Sequence, residues 1–206
     1  MSRPTLRSEA AAQRRGSGAL LLALALALVP RAQAQDGDWS LGAYGGQYYD
    51  SEPAGIIKGR GNFLHQYIVA LTGSRTLWRA ADWPLALEVD ATLAHQYGTA
   101  TLQEFAIAPV LRWSGFPWNQ ALPTSFRAGP LGWSHTTMVS PLERGTDGQG
   151  ARNLNFLMLE LTFSGPASRR HEVFVRLHHR CTIYDLLNNY GANGQDFLAI
   201  GYRRFY

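Results

Sequence analysis

The chain of 206 residues has one cysteine, Cys181, so no internal disulfide can staple it. It also lacks a long hydrophobic helix. The longest apolar run, Ala19 to Val29, falls short of the roughly 20 residues a membrane-spanning helix needs. Helical periodicity is almost absent elsewhere, which excludes a bundle and turns attention to strands. Phosphate loops, hydrolase elbows and paired-cysteine motifs are missing. His65, His95, His135 and His171 are scattered without ligand spacing. The adjacent His178 and His179 face opposite ways in an extended chain, so one metal is not expected to hold both. No metal or other cofactor is expected.

Charge of one sign is scarce as well, once the first residues are set apart. Arg3, Arg7, Arg14 and Arg15 precede the apolar run, and Ala32-Gln33-Ala34 follows it with the small-x-small form of a signal-peptidase site. Residues 1–34 are therefore expected to be a cleaved signal peptide and residues 35–206 a single barrel domain. Without that leader the chain carries 14 basic and 14 acidic residues, a net charge near zero. Nothing basic remains to argue for nucleic acid.

What is present is a succession of short alternating segments. Trp39 to Tyr49, Phe63 to Leu77, Leu85 to Ala94, Glu104 to Trp113, Thr124 to Thr137, Leu154 to Phe163, the stretch ending at Cys181, and Asp196 to Tyr206 read as eight strands. Leu85, Leu87, Val89, Ala91 and Leu93 alternate with Ala86, Glu88, Asp90, Thr92 and Ala94, the period of a half-apolar strand. Pro109 cannot donate to a ladder and predicts a bulge or pairing gap. The fifth strand is glycine-rich and carries Pro130, so its register is open. Trp78 to Asp82 and Ser164 to Arg170 are expected as turns, and Met138 to Asn153 as a long polar loop.

Such strands suit either a soluble barrel with apolar residues inside or a membrane barrel with them outside. Three features favour an eight-stranded antiparallel up-and-down transmembrane β-barrel. The last strand ends in aromatic Tyr206 after an alternating apolar stripe. Trp39, Trp83 and Trp113 fall at strand ends that share one side, as an interfacial girdle requires. Glu88, Asp90, Glu104, Arg112, Glu160 and Arg176 place both signs of charge on the opposite faces, able to pair in a narrow lumen. The location implied is the bacterial outer membrane.

The functional candidates sit at the end of the seventh strand. Val173, Val175, Leu177, His179 and Cys181 share one face, so an apolar stripe ends in a base and a thiol. Leu198, Ile200 and Tyr202 in the last strand share a face with Asp196, with Arg204 the exception. If the two strands are antiparallel neighbours, His179, Cys181 and Asp196 meet at one end of one lipid-facing surface, and an acid, a base and a nucleophile are together. His178 points into the lumen, where a hydrogen-bonding role is expected.

Over residues 171–206 the chain resembles the outer-membrane lipid A 3-O-deacylases, the PagL-like barrels. His179-Arg180-Cys181 stands at the family's His-x-Ser element, and Asp196 at the acid opening the last strand. Cysteine replaces serine, aspartate replaces glutamate, and Thr182 stands where the family has asparagine. The resemblance implies an ester hydrolase acting on an acyl chain of lipid A or another outer-leaflet lipid, with His179, Cys181 and Asp196 catalytic. The alternative is a non-catalytic barrel that binds lipid or a partner through its loops, with Cys181 as a small hydrophobe. Oligomeric state has no signal in the sequence.

Overall fold

A computed structural model describes residues 38–51, 55, 58–145, 148–166, 168–183 and 194–206. The expected signal peptide lies outside the described residues. Eight strands follow in chain order: β1 Trp39–Asp50, β2 Asn62–Arg79, β3 Leu85–Gly98, β4 Leu102–Trp113, β5 Thr124–Thr136, β6 Asn153–Gly165, β7 Ser168–Cys181 and β8 Gln195–Phe205. Each pairs antiparallel with the next, and β8 returns to β1 to close the barrel. Closure removes the unpaired edges that an open sheet would present to lipid.

The alternation in the sequence becomes an outside and an inside. Leu71, Leu93, Leu131 and Ile200 stand outward and are more than 60 % exposed. Their neighbours one residue along, Ala70, Thr92 and Ala94, are buried in the lumen. An apolar belt facing out around a polar interior is a barrel built for a bilayer. Trp39, Trp83 and Trp113 gather at the end that carries the first residue of β1 and the last of β8, as the girdle argument anticipates. β5 and β7 end, and β6 and β8 begin, at the opposite, outer end.

Arginines and carboxylates fill the lumen. Arg127 bonds Glu88 at 2.7 Å, Glu160 at 2.8 Å and Asp90 at 3.1 Å. Arg176 reaches Glu160 at 2.7 Å and Asp90 at 3.3 Å. Arg203 pairs with Glu160, and Arg112 with Glu172. A buried charge is tolerable only when paired and hydrogen-bonded, and here each guanidinium spans two or more strands. Arg127 and Arg203 complete the network beyond the residues that alternation singled out. Aromatic rings pack against it: the Arg203 guanidinium lies 4.4 Å from the Phe174 ring centroid. Gly201 faces that ring across the β7–β8 ladder, where any Cβ would meet it at 2.3 Å, so only glycine fits.

Three expectations need adjusting. The turn expected at Trp78 to Asp82 begins later, because a bulge between Thr76 and Trp78 keeps Trp78 and Arg79 in the β2–β3 ladder. The turn expected from Ser164 to Arg170 is shorter, since Ser164 and Gly165 still belong to β6 and Ser168 pairs back to Gly165, the rim ladder needing no apolar side chains. The loop from Met138 contains one turn of 3-10 helix, Pro141–Glu143, capped by Ser140. Pro109 does mark a pairing gap: β4 and β5 lose register between Ile107 and Leu111, beside an irregularity between Gly129 and Gly132 that brackets Pro130.

Candidate active site

β7 delivers alternate residues to two environments at its outer end. His178 and Arg180 turn inward and His179 and Cys181 outward, because successive side chains of a strand point to opposite faces. Register then brings in the neighbours. His179 lies opposite Asp196 of β8, and Cys181 opposite Asn155 of β6. The His179 Nδ1 to Asp196 Oδ1 distance is 2.7 Å. With Nδ1 held by the carboxylate, the other ring nitrogen is left for Cys181, which stands next to His179 on the same outward face of β7. The three residues singled out in the sequence are thus brought together as acid, imidazole and thiol.

Their burial is uneven. His179 and Asp196 are only 7 % and 5 % exposed, whereas Cys181 is half-buried. The group is outward by register, yet only the sulfur is open to the surroundings. Gly194 contributes to the cover: a Cβ there would stand 3.1 Å from His179 Cε1, so a larger residue would press on the imidazole.

A side-chain donor meets the sulfur. Asn155 Nδ2 lies 3.7 Å from Cys181 Sγ and 3.2 Å from the Pro130 carbonyl, and the backbone of Ile183 follows two residues after the thiol. Ile183 has φ of +50°, a left-handed conformation that β-branched residues rarely adopt. Strain of this kind persists where surrounding structure enforces it, commonly at functional sites. Asn155 was legible only as the polar outer end of the outward stripe Leu157, Leu159, Leu161 and Phe163, which mirrors the way His179 ends the stripe of β7. Nothing in the sequence gave Ile183 away, since its role is its backbone.

Arg180, between His179 and Cys181, points into the lumen and fixes the strand from behind. Its Nε donates to Ser134 Oγ at 2.6 Å, its Nη2 to the Arg152 carbonyl at 3.1 Å, and its Nη1 to the Glu143 carboxylate. The outer loop is thereby tied to the segment that carries the candidate site. Glu143 is fully buried. Burial pushes its carboxyl up to about 7, with the Glu104 charge adding to the rise and Arg180 opposing it. His178 binds the Tyr44 hydroxyl at 2.7 Å and Glu104 at 3.1 Å, a lumenal hydrogen-bonding role. His95, His135 and His171 bond Gln103, Asn153 and Tyr202 on separate strands.

No family model matches the sequence, and no curated protein matches it. Among solved structures the chain is similar to the outer membrane enzyme PagL, with a TM-score of 0.55 and 15 % identity over 81 % of this chain and 99 % of that one. It is also similar to neisserial surface protein A, NspA, with a TM-score of 0.50 and 10 % identity over 84 % of this chain and all of the other. At such identities the likeness speaks for the fold alone, and one fold hosts many chemistries. The fold is that of the closed eight-stranded antiparallel barrels of the bacterial outer membrane.

Proposed function

We propose that this barrel is an outer-membrane ester hydrolase related in mechanism to the lipid A deacylases, using Cys181 as nucleophile, His179 as general base and Asp196 to orient the imidazole. The observation that carries the reading is the His179 to Asp196 contact of 2.7 Å, with Cys181 next on the same outward face. An ionisable triad is costly on the wall that faces lipid, and a hydrolase of membrane lipids gives it a purpose.

In the proposed reaction His179 takes the thiol proton, and the thiolate attacks the carbonyl carbon of a fatty-acyl ester. The tetrahedral oxyanion forms beside Asn155 Nδ2, which already reaches the sulfur. Collapse breaks the ester C–O bond, His179 returns its proton to the leaving alkoxide, and the acyl group stays on sulfur as a thioester. Water then loses a proton to His179 and attacks the thioester. Fatty acid leaves and the thiol is restored. Asp196 keeps its contact with Nδ1 throughout, holding the tautomer and facing the imidazolium.

The test is mass spectrometry of lipid A incubated with the folded protein in micelles, beside intact-mass analysis of the protein. Loss of one acyl chain from the lipid, with a transient acyl adduct on Cys181, is the expected result. Intact lipid and unmodified Cys181 at every time point would overturn it, and a non-catalytic lipid-binding barrel would stand instead.

A further inference from the structure

The outer rim beside Cys181 holds a fixed cation. Arg152 lies one residue outside β6, its Nε donating to the Thr136 carbonyl at 2.7 Å and its Nη2 meeting His135 Nε2 at 3.0 Å. His135 Nδ1 in turn donates to Asn153 Oδ1 at 2.8 Å, which leaves Nε2 as the lone pair that accepts from Arg152. The ring is stacked on Trp133 at 6.0 Å and 27°, so the guanidinium is held by a chain of defined contacts. Among the described residues no carboxylate pairs with Arg152, whereas the lumenal Arg112, Arg127, Arg176, Arg180 and Arg203 all have acidic partners.

Depth and distance suit a headgroup. His135 and Asn153 form the last rung of the β5–β6 ladder, so Arg152 stands where the apolar belt gives way to the polar interface. Asn155, opposite Cys181, lies three residues further in along the chain than Arg152. Three residues along a strand and one strand across amount to roughly 11 Å in a straight line between backbones. That separation spans a phosphate at the interface and an acyl ester just below it. A planar guanidinium fixed along one edge offers its remaining N–H groups to the oxygens of a phosphate in a fork.

We propose that Arg152, positioned by His135 and Thr136, binds the phosphate of an outer-leaflet lipid headgroup and so sets the acyl ester of that lipid over Cys181. The assignment rests on the hydrolase reading for its purpose, while the binding itself is separable from catalysis. The experiment therefore uses full-length protein carrying Cys181→Ala, folded in micelles, titrated with diphosphoryl lipid A and with the same lipid stripped of phosphate, and followed by native mass spectrometry. Adding Arg152→Gln should weaken the phosphorylated lipid about tenfold or more and leave the stripped lipid unchanged. Arg152→Lys should fall between, since the charge survives and the fork does not. Equal affinity of the Arg152→Gln protein and its parent for the phosphorylated lipid overturns the site. Inorganic phosphate in excess should leave the lipid bound; displacement of the lipid from the parent would assign the site to free phosphate and overturn the headgroup source. Heat-modifiable gel migration confirms that each variant is folded. Should wild-type protein fail to cleave lipid A, the hydrolase reading falls and this binding result is still read.

Discussion

His178 and His179 are neighbours in sequence and live in opposite worlds. The first is enclosed in the lumen between Tyr44 and Glu104, one member of a network in which its partners are themselves held by others. The second stands on the outer wall with Asp196 and Cys181, a small polar group at the end of an apolar stripe. The lumen lowers the cost of its charges by pairing many of them. Among the described residues the outer group has its own three members and Asn155 at the sulfur. A polar constellation is unremarkable inside such a barrel and expensive outside it, so the outer one calls for a functional reason.

The largest effects should fall on the outer group and spare the fold. Cys181→Ala or His179→Ala should lower ester cleavage about a thousandfold or more, and the double variant should be little worse than either, because residues acting as a unit are non-additive. Asp196→Asn should cost a comparable factor by stabilising the wrong tautomer. Cys181→Ser should keep part of the activity, now more dependent on His179, since a hydroxyl is far less acidic than a thiol. Lipid A mass spectrometry measures all five. Full activity in Cys181→Ala would erase the contrast between the two faces.

The lumen should show the reverse pattern. Glu160 binds Arg127, Arg176 and Arg203, so Glu160→Ala leaves buried positive charge uncompensated and should cost about 3–5 kcal/mol in urea unfolding from micelles. Activity per folded molecule should change little. On the outer wall, Leu71 is 66 % exposed on the middle of β2. Leu71→Arg should cost about 2–4 kcal/mol, because the introduced charge has no partner there. If it costs nothing, the wall around Leu71 does not face hydrocarbon.

A smaller effect links the faces through the loop. Glu143 has its pKa raised from 4.5 to about 7 by burial, so the folded loop binds a proton more tightly than the unfolded chain does. Its contribution to stability is full below pH 4.5 and is lost as pH rises through 7. Hydrogen exchange in residues 137–145 should therefore quicken over that window. Glu143→Gln keeps an acceptor for Arg180 without the charge and should flatten the pH dependence. An unchanged slope would show that some other group governs the loop.

Much of this was legible from alternation. The period of two placed Glu88, Asp90, Glu104, Arg112, Glu160 and Arg176 inside and the leucines outside before any coordinates, because side-chain direction in a strand is local geometry. Pro109 announced the β4–β5 gap for an equally local reason, its missing N–H. Arg127 was obscured by the irregular register around Gly129 to Gly132, where counting by twos breaks down. Arg203 is hidden in the sequence by its neighbour Arg204, since one arginine of the pair is buried and the other exposed.

For the candidate site the division is similar. The sequence by itself determined that His179 and Cys181 share a face, that Asp196 opens the last strand, and that each stripe is apolar up to that point, Arg204 apart. Only the tertiary structure decided that β7 and β8 pair with His179 opposite Asp196, that Asn155 arrives from β6, that Arg180 reaches across the lumen to Glu143, and that the imidazole is covered while the sulfur is not. Facing is fixed by one residue's place in its own strand, whereas proximity between strands depends on the register of the closed barrel, which all eight ladders set together.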